Sequence, residues 1–538
     1  MVDMNQSMYS YLKEKHSAYK INSKMISFYG RKIKNKVFFK EVDKIASFLQ
    51  NKGIKKGDNV IICLGNIPNA IISFYAVNRI GAIANLLHPL IKNNQLEKII
   101  SKTNPKAVIV FNEFFKEYDC LKDYKCPIIV CSACDYLFAL YKPFYGLYSL
   151  NKTIGIEYKE NVYKYSKIKF EKLTDVEIAG SDTAIYMHSS GTTGESKIAC
   201  ISNQAMNNMQ VNLFTTVFKE ESLNDKWGML MALPIFHTFG LGVCMHTTLC
   251  VGAQAILMPK FNVPYALLLL KFQPVNIISG IPGMFKKLAD SPFFKGKMLL
   301  KIKECFCGGE KLSDEVKQKF EEKLAKEGSS TKIAEGYGLT ETGVVLLNTQ
   351  DNSVQGSIGA ALKNVEVKIV DDNLAPLKEY EKGNILISSK TLMNGYYLDE
   401  QLTNKALVTL DNKKWVNTGD IGYIDESKHV FFVDREKRLI KISGNNVFPR
   451  EIENYVNEIE EIDCSCAVKG EKNNKTIIKL YVQMKKDRIF DKEVEKKIVD
   501  KISNNMLKYA LPSQIICIKN FPKTMIGKID YKQLEKID

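Results

Sequence analysis

The spacing of apolar residues predicts alternating helices and strands in the first part of the chain. Apolar residues recur at helical spacing over residues 39–50, and Gly53 is well placed to end that helix. Short apolar runs at residues 60–63, 107–110 and 128–130 are typical of buried strands. Strands that alternate with helical segments indicate layered α/β structure, which is therefore the predicted fold class.

The pattern changes after about residue 355. Short strand-like runs at residues 365–370 and 384–387, separated by turns, predict a mostly β subdomain over about 355–425. Past this subdomain, the predicted elements are helices near 451–459 and 493–502 and strands near 475–484 and 514–518. We therefore predict an N-terminal domain at 1–434 and a compact C-terminal α/β domain at 435–538.

Length and composition agree with an ordinary globular protein of several domains. The chain has 538 residues, of which 45% are hydrophobic and 25% charged. The net charge of +16 would attract polyanions such as ATP, CoA or an anionic membrane surface. The lysines are nevertheless interleaved with acids, which favours solvated faces, and no basic block studded with aromatic residues indicates a nucleic-acid partner.

Residues 227–259 carry no formal charge and are long enough to cross a membrane. Pro234, His237, His246 and several glycines interrupt the run, so we predict a buried strand and helix near a pocket and no transmembrane segment. The N-terminus lacks a secretory pattern, and the C-terminus is not a peroxisomal address. These features predict a cytoplasmic enzyme.

The 13 cysteines form an odd count, which favours free thiols in a reducing compartment. Cys120, Cys126, Cys131 and Cys134 lie close together along the chain and could be imagined as zinc ligands. Only one pair has the spacing of a zinc knuckle, and residues 128–130 read as a strand, so small core residues are the favoured interpretation.

The most specific local feature is a glycine- and hydroxyl-rich loop that ends in a lysine. Its backbone N–H groups, hydroxyls and ammonium could wrap a polyphosphate, although the same residue types also form ordinary surface turns. The Walker pattern does not fit, because Ser196 stands where a glycine is needed. The candidate phosphate ligands are Ser189, Ser190, Gly191, Thr192, Thr193, Gly194 and Lys197.

Further segments in a fixed order turn this loop into a family resemblance. They are LPIFH at 233–237, GYGLTET at 336–342, NTGD at 417–420, DREK at 434–437 continuing to IKISG at 440–444, and PKTMIGK at 522–528. Together they resemble the adenylate-forming (AMP-binding) superfamily of acyl-CoA synthetases, peptide-synthetase adenylation domains and luciferases. The chain is closest in kind to an acyl-CoA synthetase. It departs from the family pattern at Ser196 and Ile198, where proline and glycine are usual.

The resemblance implies how ATP would be held. Thr340 would contact the α-phosphate and Glu341 would help to hold Mg²⁺, a hard cation that suits a carboxylate. Asp420 would accept hydrogen bonds from the ribose, with Arg435 nearby. The adenine side would be formed by Tyr337 and the turn of Gly308, Gly309 and Glu310, and Gly336 and Gly338 would also contact ATP. From the residues alone, Glu341 could be a solvated acid and the Asp420 segment could be a β-turn.

The resemblance also implies that residues 435–538 form a small mobile lid with its hinge near Lys437. Lys528 would bridge the carboxylate and phosphate oxygens during adenylation, stabilising charge in the transition state. Once the lid turns, the loop that contains Lys441, Ser443 and Gly444 would face the site for thioester formation. His237 resembles an aromatic-histidine gate beside the acyl site, and a buried structural histidine is the competing interpretation. Small residues at Gly240, Gly242, Gly283 and Gly309 lie in segments that the family uses to line the acyl pocket and would leave room for an acyl chain.

The expected activity is that of an acid–thiol ligase. Peptide-synthetase adenylation domains usually place an aspartate where this chain has His237, so an amino acid substrate is disfavoured. No carrier domain follows Lys528, so the acceptor is a separate molecule. The prediction is ATP-dependent activation of a carboxylic acid, fatty or aryl, to an acyl-adenylate, followed by transfer to CoA. The alternatives are transfer to a separate acyl-carrier protein, or a non-catalytic sensor of nucleotide or acyl ligands, which Ser196 and Ile198 keep open.

Overall fold

The computed structural model describes residues 3–18, 24–158, 160–189, 197–217, 227–442, 445–472, 475–523 and 529–537. The chain divides into two compact units. The first unit comprises Met1–Glu366 and Ile387–Val416, and the second comprises Val367–Leu386 and Asn417–Asp538. We describe each unit by itself.

The regular elements follow the chain in an α/β order. The strands are β1 Lys24–Phe28, β2 Arg31–Lys34, β3 Asn59–Cys63, β4 Ile83–Leu86, β5 Ala107–Phe111, β6 Ile128–Cys131, β7 Val162–Lys164, β8 Thr183–Ser189, β9 Lys197–Ser202, β10 Gly228–Met231, β11 Gln254–Leu257, β12 Ile277–Gly280, β13 Glu304–Gly308, β14 Ile333–Leu339, β15 Gly343–Asn348, β16 Gly359–Ala361, β17 Val365–Val370, β18 Gly383–Ser389, β19 Gly395–Tyr396, β20 Leu407–Leu410, β21 Lys413–Ile424, β22 His429–Arg435, β23 Ile440–Ile442, β24 Asn445–Val447, β25 Ile462–Lys472, β26 Lys475–Met484 and β27 Gln514–Cys517.

Helices connect these strands. They are α1 Met8–Ala18, α2 Asn35–Asn51, α3 Pro68–Arg79, α4 Asn93–Thr103, α5 Lys142–Thr153, α6 Asn203–Val217, α7 Thr248–Cys250, α8 Val263–Phe272, α9 Pro282–Asp290, α10 Asp314–Lys326, α11 Glu400–Ala406, α12 Pro449–Val456, α13 Lys492–Asn505 and α14 Tyr531–Glu535. A π-helix spans Phe239–Thr247, immediately before α7. Short 3₁₀ turns lie at Phe115–Glu117, Asp119–Leu121, Ala133–Asp135, Ala139–Tyr141, Tyr165–Lys167, Leu299–Lys301, Glu436–Arg438 and Lys508–Ala510.

Two sheets organise the first unit. In one, the strand order is β16-β15-β14-β13-β12-β10-β11-β1-β2, with parallel pairing from β14 to β1 and antiparallel pairs at its ends. The other has the order β19-β9-β8-β4-β3-β5-β6-β7, parallel from β8 to β7. Parallel strands need crossover connections, which the intervening helices supply. The carboxyl ends of several strands therefore lie together at one edge of each sheet.

Apolar side chains between sheet and helices form the main core of the first unit. Leu230 and Ile278, on β10 and β12, are buried in one cluster with Phe285 of α9 and Phe320 of α10. The rings of Phe285 and Phe320 meet edge to face, with centroids 5.1 Å apart. Burial of each such side chain contributes about 1.5–3 kcal/mol to the stability of the first unit.

The second unit combines antiparallel strands with a small α/β layer. Its portions of β17, β18, β21 and β22 are adjacent in that order, β23 pairs with β24, and β25-β26-β27 form a three-stranded sheet. Helices α12 and α13 pack on that sheet through Ile452, Val456, Ile498 and Ile502, which are all buried.

The structure confirms the predicted α/β class and the predicted segments. The helix expected at 39–50 is part of α2, and those expected near 451–459 and 493–502 correspond to α12 and α13. The strands β3, β5, β6, β17, β18, β26 and β27 also lie where the sequence predicts them. The domain boundary at 434/435, the β subdomain at 355–425 and the hinge near Lys437 stay predictions.

The uncharged run at 227–259 forms β10, the π-helix, α7 and β11, in agreement with the prediction of a buried strand and helix. Within the part of the chain that the structure describes, no helix is long and apolar enough to cross a membrane. The cysteines are free thiols, and Cys131 is buried on β6. No group of three or more potential metal-ligating side chains occurs among the described residues, so no zinc cluster forms there.

Candidate active site

The glycine-rich loop connects two paired strands. β8 and β9 are antiparallel, with Ser189 opposite Lys197 in the register. Residues 190–196 lie outside the described residues, so the phosphate-binding roles of Ser190, Gly191, Thr192, Thr193 and Gly194 stay predictions. Lys197 opens β9, and its Nζ lies 5.2 Å from the centroid of the Tyr396 ring, within the range of a cation–π interaction. The loop lysine is therefore held beside an aromatic face.

Thr340 and Glu341 lie at the tip of a tight hairpin between β14 and β15. The strands are antiparallel, with Leu339 opposite Gly343. The Leu339 N–H donates to Oγ1 of Thr342 at 3.1 Å, and Gly343 has a φ of +67°, which favours glycine. The threonine and glycine thus fix a turn that presents Thr340 and Glu341 side by side.

A second segment locks this hairpin tip in place. The Met393 N–H donates to the Glu341 carbonyl at 2.9 Å, and Thr391 Oγ1 donates to the Thr342 carbonyl at 2.7 Å. The Tyr396 hydroxyl then donates to Oε1 of Glu341 at 2.5 Å. Burial, followed by the charge of Glu341, raises the pKa of Tyr396 well above its ordinary value, so the phenol keeps its proton. This hydrogen bond fixes the orientation of the Glu341 carboxylate.

These residues fit an ATP-bound magnesium ion. Mg²⁺ in nucleotide sites is usually held by one or two carboxylates, with phosphates and water completing the octahedron. Glu341 is part-buried and is fixed by Tyr396, and the described residues contain no larger acidic cluster that would form a cage without the nucleotide. Glu341 would therefore hold the ion, which would neutralise phosphate charge.

The predicted adenine-side residues come together at the ends of two parallel strands. β13 and β14 pair with Gly308 opposite Gly336. Gly309 and Glu310 therefore follow β13 immediately beside the Gly336–Tyr337–Gly338 stretch of β14. Tyr337 is part-buried, and Glu310 is exposed. Carboxyl ends of parallel strands are common ligand sites in α/β proteins, and the predicted nucleotide contacts have this placement.

His237 stands between β10 and the π-helix, a helix type that occurs often at functional sites. Its ring contacts Phe236, with centroids 4.8 Å apart, and the residue is exposed to solvent, which argues against the interpretation as a buried structural histidine. Partial burial, followed by the charge of His88, lowers the pKa of His237 from its ordinary value. His237 is therefore a neutral imidazole near pH 7.

Of the four glycines expected to leave acyl room, Gly240 and Gly242 are tightly packed, whereas an added Cβ would meet nothing within 4 Å at Gly283 and only Cγ2 of Ile281, at 3.8 Å, at Gly309. A Cβ at Gly242 would lie 1.6 Å from Cε of Met209, and one at Gly240 would lie 2.0 Å from the Pro234 carbonyl oxygen. These two glycines permit close packing of the π-helix on its neighbours. A nearby apolar cavity of about 10 Å³ is too small for an acyl chain, and it is lined by Leu213, Val217, Met229, Val243, Thr247, Thr248, Val251, Ile277 and Phe306.

In the second unit, Asp420 and Arg435 are cross-strand neighbours. β21 and β22 place them opposite each other, and Arg435 Nε lies 3.1 Å from Oδ1 of the buried Asp420. Thr418, Gly419 and Asp420 all lie within β21, which excludes the β-turn interpretation. Thr418 Oγ1 donates to the Ile385 carbonyl at 2.8 Å and accepts from the Asp420 N–H at 3.1 Å. This network fixes a buried carboxylate next to a half-exposed guanidinium.

The predicted hinge residue Lys437 lies in a 3₁₀ turn between two anchoring side chains. The buried Asp434 accepts from the Arg450 N–H at 2.8 Å, which satisfies a free donor at the start of α12. Arg438 Nη2 lies 2.5 Å from Oε1 of Glu453 and donates to the Ala467 carbonyl at 3.1 Å. Both sides of Lys437 are therefore held inside the second unit.

Comparison with known proteins identifies the family. Residues 16–397 match the model of the AMP-binding enzyme family. The chain belongs to this family.

Individual AMP-binding enzymes resemble the chain over nearly its whole length. It is 30% identical over 529 residues to the long-chain-fatty-acid–CoA ligase of Bacillus subtilis, covering 95% of the chain and 90% of that ligase. It is 27% identical to 4-coumarate:CoA ligase 1 of Petunia hybrida over 507 residues, covering 91% and 86%. The crystal structure of ATP-bound MatB from Rhodopseudomonas palustris shares the fold, with a TM-score of 0.82, 21% identity and coverage of 99% and 98%.

Among the residues predicted for this AMP-binding enzyme, Lys528, Ser443 and Gly444 lie outside the described residues. Lys441 is exposed on β23, opposite Asn446 of β24. The sequence did not indicate Tyr396, because 55 residues separate it from Glu341. Its strand, β19, is only two residues long, too short to show any periodicity.

Proposed function

We propose that this chain activates a fatty acid with ATP and transfers the acyl group to CoA. A carboxylate oxygen forms a bond to the α-phosphorus, and the bond between the α- and β-phosphates breaks, releasing pyrophosphate. The CoA thiol, losing its proton, then attacks the acyl carbonyl, and AMP leaves. The products are acyl-CoA, AMP and pyrophosphate.

The contact of Tyr396 with both Lys197 and Glu341 carries this proposal. A phosphate-attracting ammonium and a metal-holding carboxylate are positioned by one side chain. Phosphoryl chemistry at ATP depends on neutralising phosphate charge and on holding the reacting oxygens in line.

The relatives and the neutral His237 favour an apolar acid as the substrate. The Bacillus subtilis relative acts on long-chain fatty acids, and the Petunia relative acts on 4-coumarate. His237 is neutral near pH 7 and supplies no ion pair for a second charge on the acid. We therefore place fatty acids ahead of aryl acids.

Exchange of pyrophosphate into ATP tests the first half-reaction without CoA. Acid-dependent exchange is expected with medium- or long-chain fatty acids and is expected to disappear in Glu341→Ala. Exchange with 4-coumarate but not with fatty acids would show that the substrate is an aryl acid and not a fatty acid. If thioester formed only on an acyl-carrier protein, the carrier alternative would hold, and absence of exchange with every acid would support the sensor alternative.

We further propose that residues 435–538 act as the lid, turning near Lys437, and that Lys528 serves the adenylation step. The lid would present Lys528 first and the loop around Lys441, Ser443 and Gly444 afterwards. Lys528→Ala should abolish acid-dependent exchange but still convert supplied acyl-adenylate and CoA into acyl-CoA. Lys519→Ala is the matched control. Normal exchange in Lys528→Ala would contradict this role.

We place the enzyme in the cytoplasm. Its 13 free cysteines are best kept in a reducing compartment, and several of them, such as Cys63 and Cys131, are buried single thiols. Fractionation of cells that express the full chain tests this location. Recovery in an oxidising compartment would contradict it.

A further inference from the structure

The stretch that carries His237 is held by a buried side chain from the other sheet. We call residues 231–237 the His237 segment. Its residues 232–237 lie between β10 and the π-helix, so their backbone N–H and C=O groups need partners outside a strand ladder or a helix. Asn66, which is only 2% exposed, supplies three hydrogen bonds to this segment.

Every polar atom of the Asn66 side chain contacts the His237 segment. Its Nδ2 donates to the carbonyls of Met231 at 3.3 Å and Leu233 at 2.8 Å. Its Oδ1 accepts from the Ile235 N–H at 3.3 Å. Both amide protons and the amide oxygen are thus used on alternate residues of one run. Asn66 lies between β3 and Pro68, the first residue of α3, so regular structure fixes the chain on both sides of it.

A second side chain from the same sheet edge packs on the His237 segment. His88 lies two residues after β4, and its ring centroid is 4.8 Å from that of Phe236. Phe236 in turn contacts His237, so three rings follow one another. The Leu90 N–H donates to Nδ1 of His88 at 2.9 Å, which fixes the orientation of the imidazole. His88 therefore supports the ring that His237 contacts.

These contacts tie the His237 segment to the sheet that carries the glycine-rich loop. Asn66 and His88 follow β3 and β4, which pair with each other, and β4 pairs with β8, the strand that leads into the loop. Precise placement matters at an active site, because moving a group that contacts the substrate by about 1 Å can cost about a hundredfold in rate. A buried amide and an oriented ring are suited to prevent such movement.

We propose that Asn66 and His88 are positioning residues for the acyl side of the active site. Asn66 holds the backbone of residues 231–235, and His88 holds the ring of Phe236, so that His237 keeps one position beside the bound acid. Both act through the His237 segment and not on the reacting atoms. This inference rests on the proposed function and on the predicted place of His237 beside the acyl group.

Two measurements on the full chain test the inference. The first is pyrophosphate exchange into ATP with a long-chain fatty acid. In Asn66→Ala, we expect KM for the acid to rise about tenfold or more, with KM for ATP changed less than about twofold. An equal rise of both constants would indicate a general structural defect and would overturn the inference. The second is amide hydrogen exchange without ligands, in which the Ile235 N–H should exchange at least about tenfold faster because its acceptor is lost.

Asn112→Ala is the matched control. Asn112 is also a buried asparagine that follows a strand of the same sheet, β5, but its Nδ2 donates to Oγ of Ser132 at 3.4 Å. This variant should leave KM for the acid and the hydrogen exchange of Ile235 unchanged.

His88→Asn tests the second contact and does not depend on the folding of Asn66→Ala. An asparagine oxygen can still accept from the Leu90 N–H, two residues on, so the variant keeps the turn and loses the ring. We expect KM for the acid to rise about threefold, with KM for ATP unchanged. If Asn66→Ala does not fold, this result decides the inference.

The outcomes separate the inference from the proposed function. If the unmodified chain shows no acid-dependent pyrophosphate exchange, the proposed function fails, and the hydrogen exchange of Ile235 decides whether Asn66 holds the His237 segment. If the unmodified chain is active, an unchanged KM for the acid in both Asn66→Ala and His88→Asn overturns the inference and leaves the proposed function intact.

Discussion

The hydroxyl of Tyr396 donates a 2.5 Å hydrogen bond to the carboxylate of Glu341. This contact joins a hairpin tip of one sheet to a two-residue strand of the other, because β19 pairs with β9. Since β9 begins at Lys197, the same tyrosine also lies beneath the loop lysine. The phosphate side of the candidate active site is thus held together by an aromatic residue outside the recognised motifs.

Tyr396→Phe should raise the magnesium concentration that the enzyme needs more than it raises KM for the acid. The variant keeps the ring below Lys197 but removes the hydrogen bond to a charged carboxylate, which is worth about 1.5–3 kcal/mol. We expect the magnesium concentration for half-maximal pyrophosphate release to rise about tenfold or more, with a smaller change in KM for the acid. Tyr397→Phe is the control. Equal effects of both variants would contradict this positioning role.

Asp420→Asn should impair recognition of the ribose. The change removes the negative charge of the group that would accept a hydrogen bond from a ribose hydroxyl. KM for ATP should therefore rise about tenfold to a hundredfold. With 3′-deoxy-ATP, the difference between variant and unmodified chain should shrink, because the hydroxyl is missing in both cases. Glu426→Gln, an exposed acid on the same hairpin, should leave KM unchanged. An identical loss with both nucleotides would show that Asp420 does not contact that hydroxyl.

His237 should control the decline of kcat/KM at acidic pH. Burial and His88 lower its pKa, so the neutral form persists to pH values below its ordinary 6.5. We expect kcat/KM to be insensitive to this group near pH 7 and to fall only at pH below 6.5. His237→Asn should remove that acidic decline. A decline that begins above pH 6.5 and disappears in the variant would contradict the lowered pKa.

His246 makes stability depend on pH. It is a fully buried residue of the π-helix, with Tyr75 Oη 2.9 Å from Nδ1 and Asn207 Oδ1 3.1 Å from Nε2, and burial lowers its pKa to about 3. In the unfolded chain the His246 imidazole therefore binds a proton near pH 6.5, whereas in the folded chain it stays neutral. Stability therefore falls as pH falls below 6.5. By pH 5 this costs about 2 kcal/mol.

Urea unfolding followed by the fluorescence of Trp227 and Trp415, both in the first unit, measures the effect. His246→Gln should be less stable at pH 7 but should lose about 2 kcal/mol less between pH 7 and pH 5. The same pH dependence in variant and unmodified chain would show that His246 is not the group responsible.

Local patterns predicted much of the fold. The helical spacing of α2 is visible because this helix buries one apolar face, and the apolar runs of β3 and β6 are visible because these strands are buried on both faces. β25 was missed, since Ser465 and the cysteines around it give no clear alternation. The π-helix was also not predicted, because an uncharged, glycine-containing run is equally compatible with other helix types.

The motifs predicted the candidate site only in part. Thr340, Glu341, Asp420 and Arg435 stand out because each lies in a short, specific motif, and the structure shows the partners of Glu341, Asp420 and Arg435. Tyr396 could not be found in this way, because its contacts with Lys197 and Glu341 arise from pairing between distant segments. The predicted acyl room at Gly242 failed for a related reason, since Met209 of α6 fills that space.

Product analysis tests the central claim most directly. The full chain is incubated with ATP, Mg²⁺, CoA and a long-chain fatty acid, and the nucleotides and thioesters are quantified together. The account predicts one acyl-CoA for each AMP and each pyrophosphate, with no product when the acid or ATP is omitted. Formation of ADP and phosphate in place of AMP and pyrophosphate, or AMP release without any thioester, would contradict it.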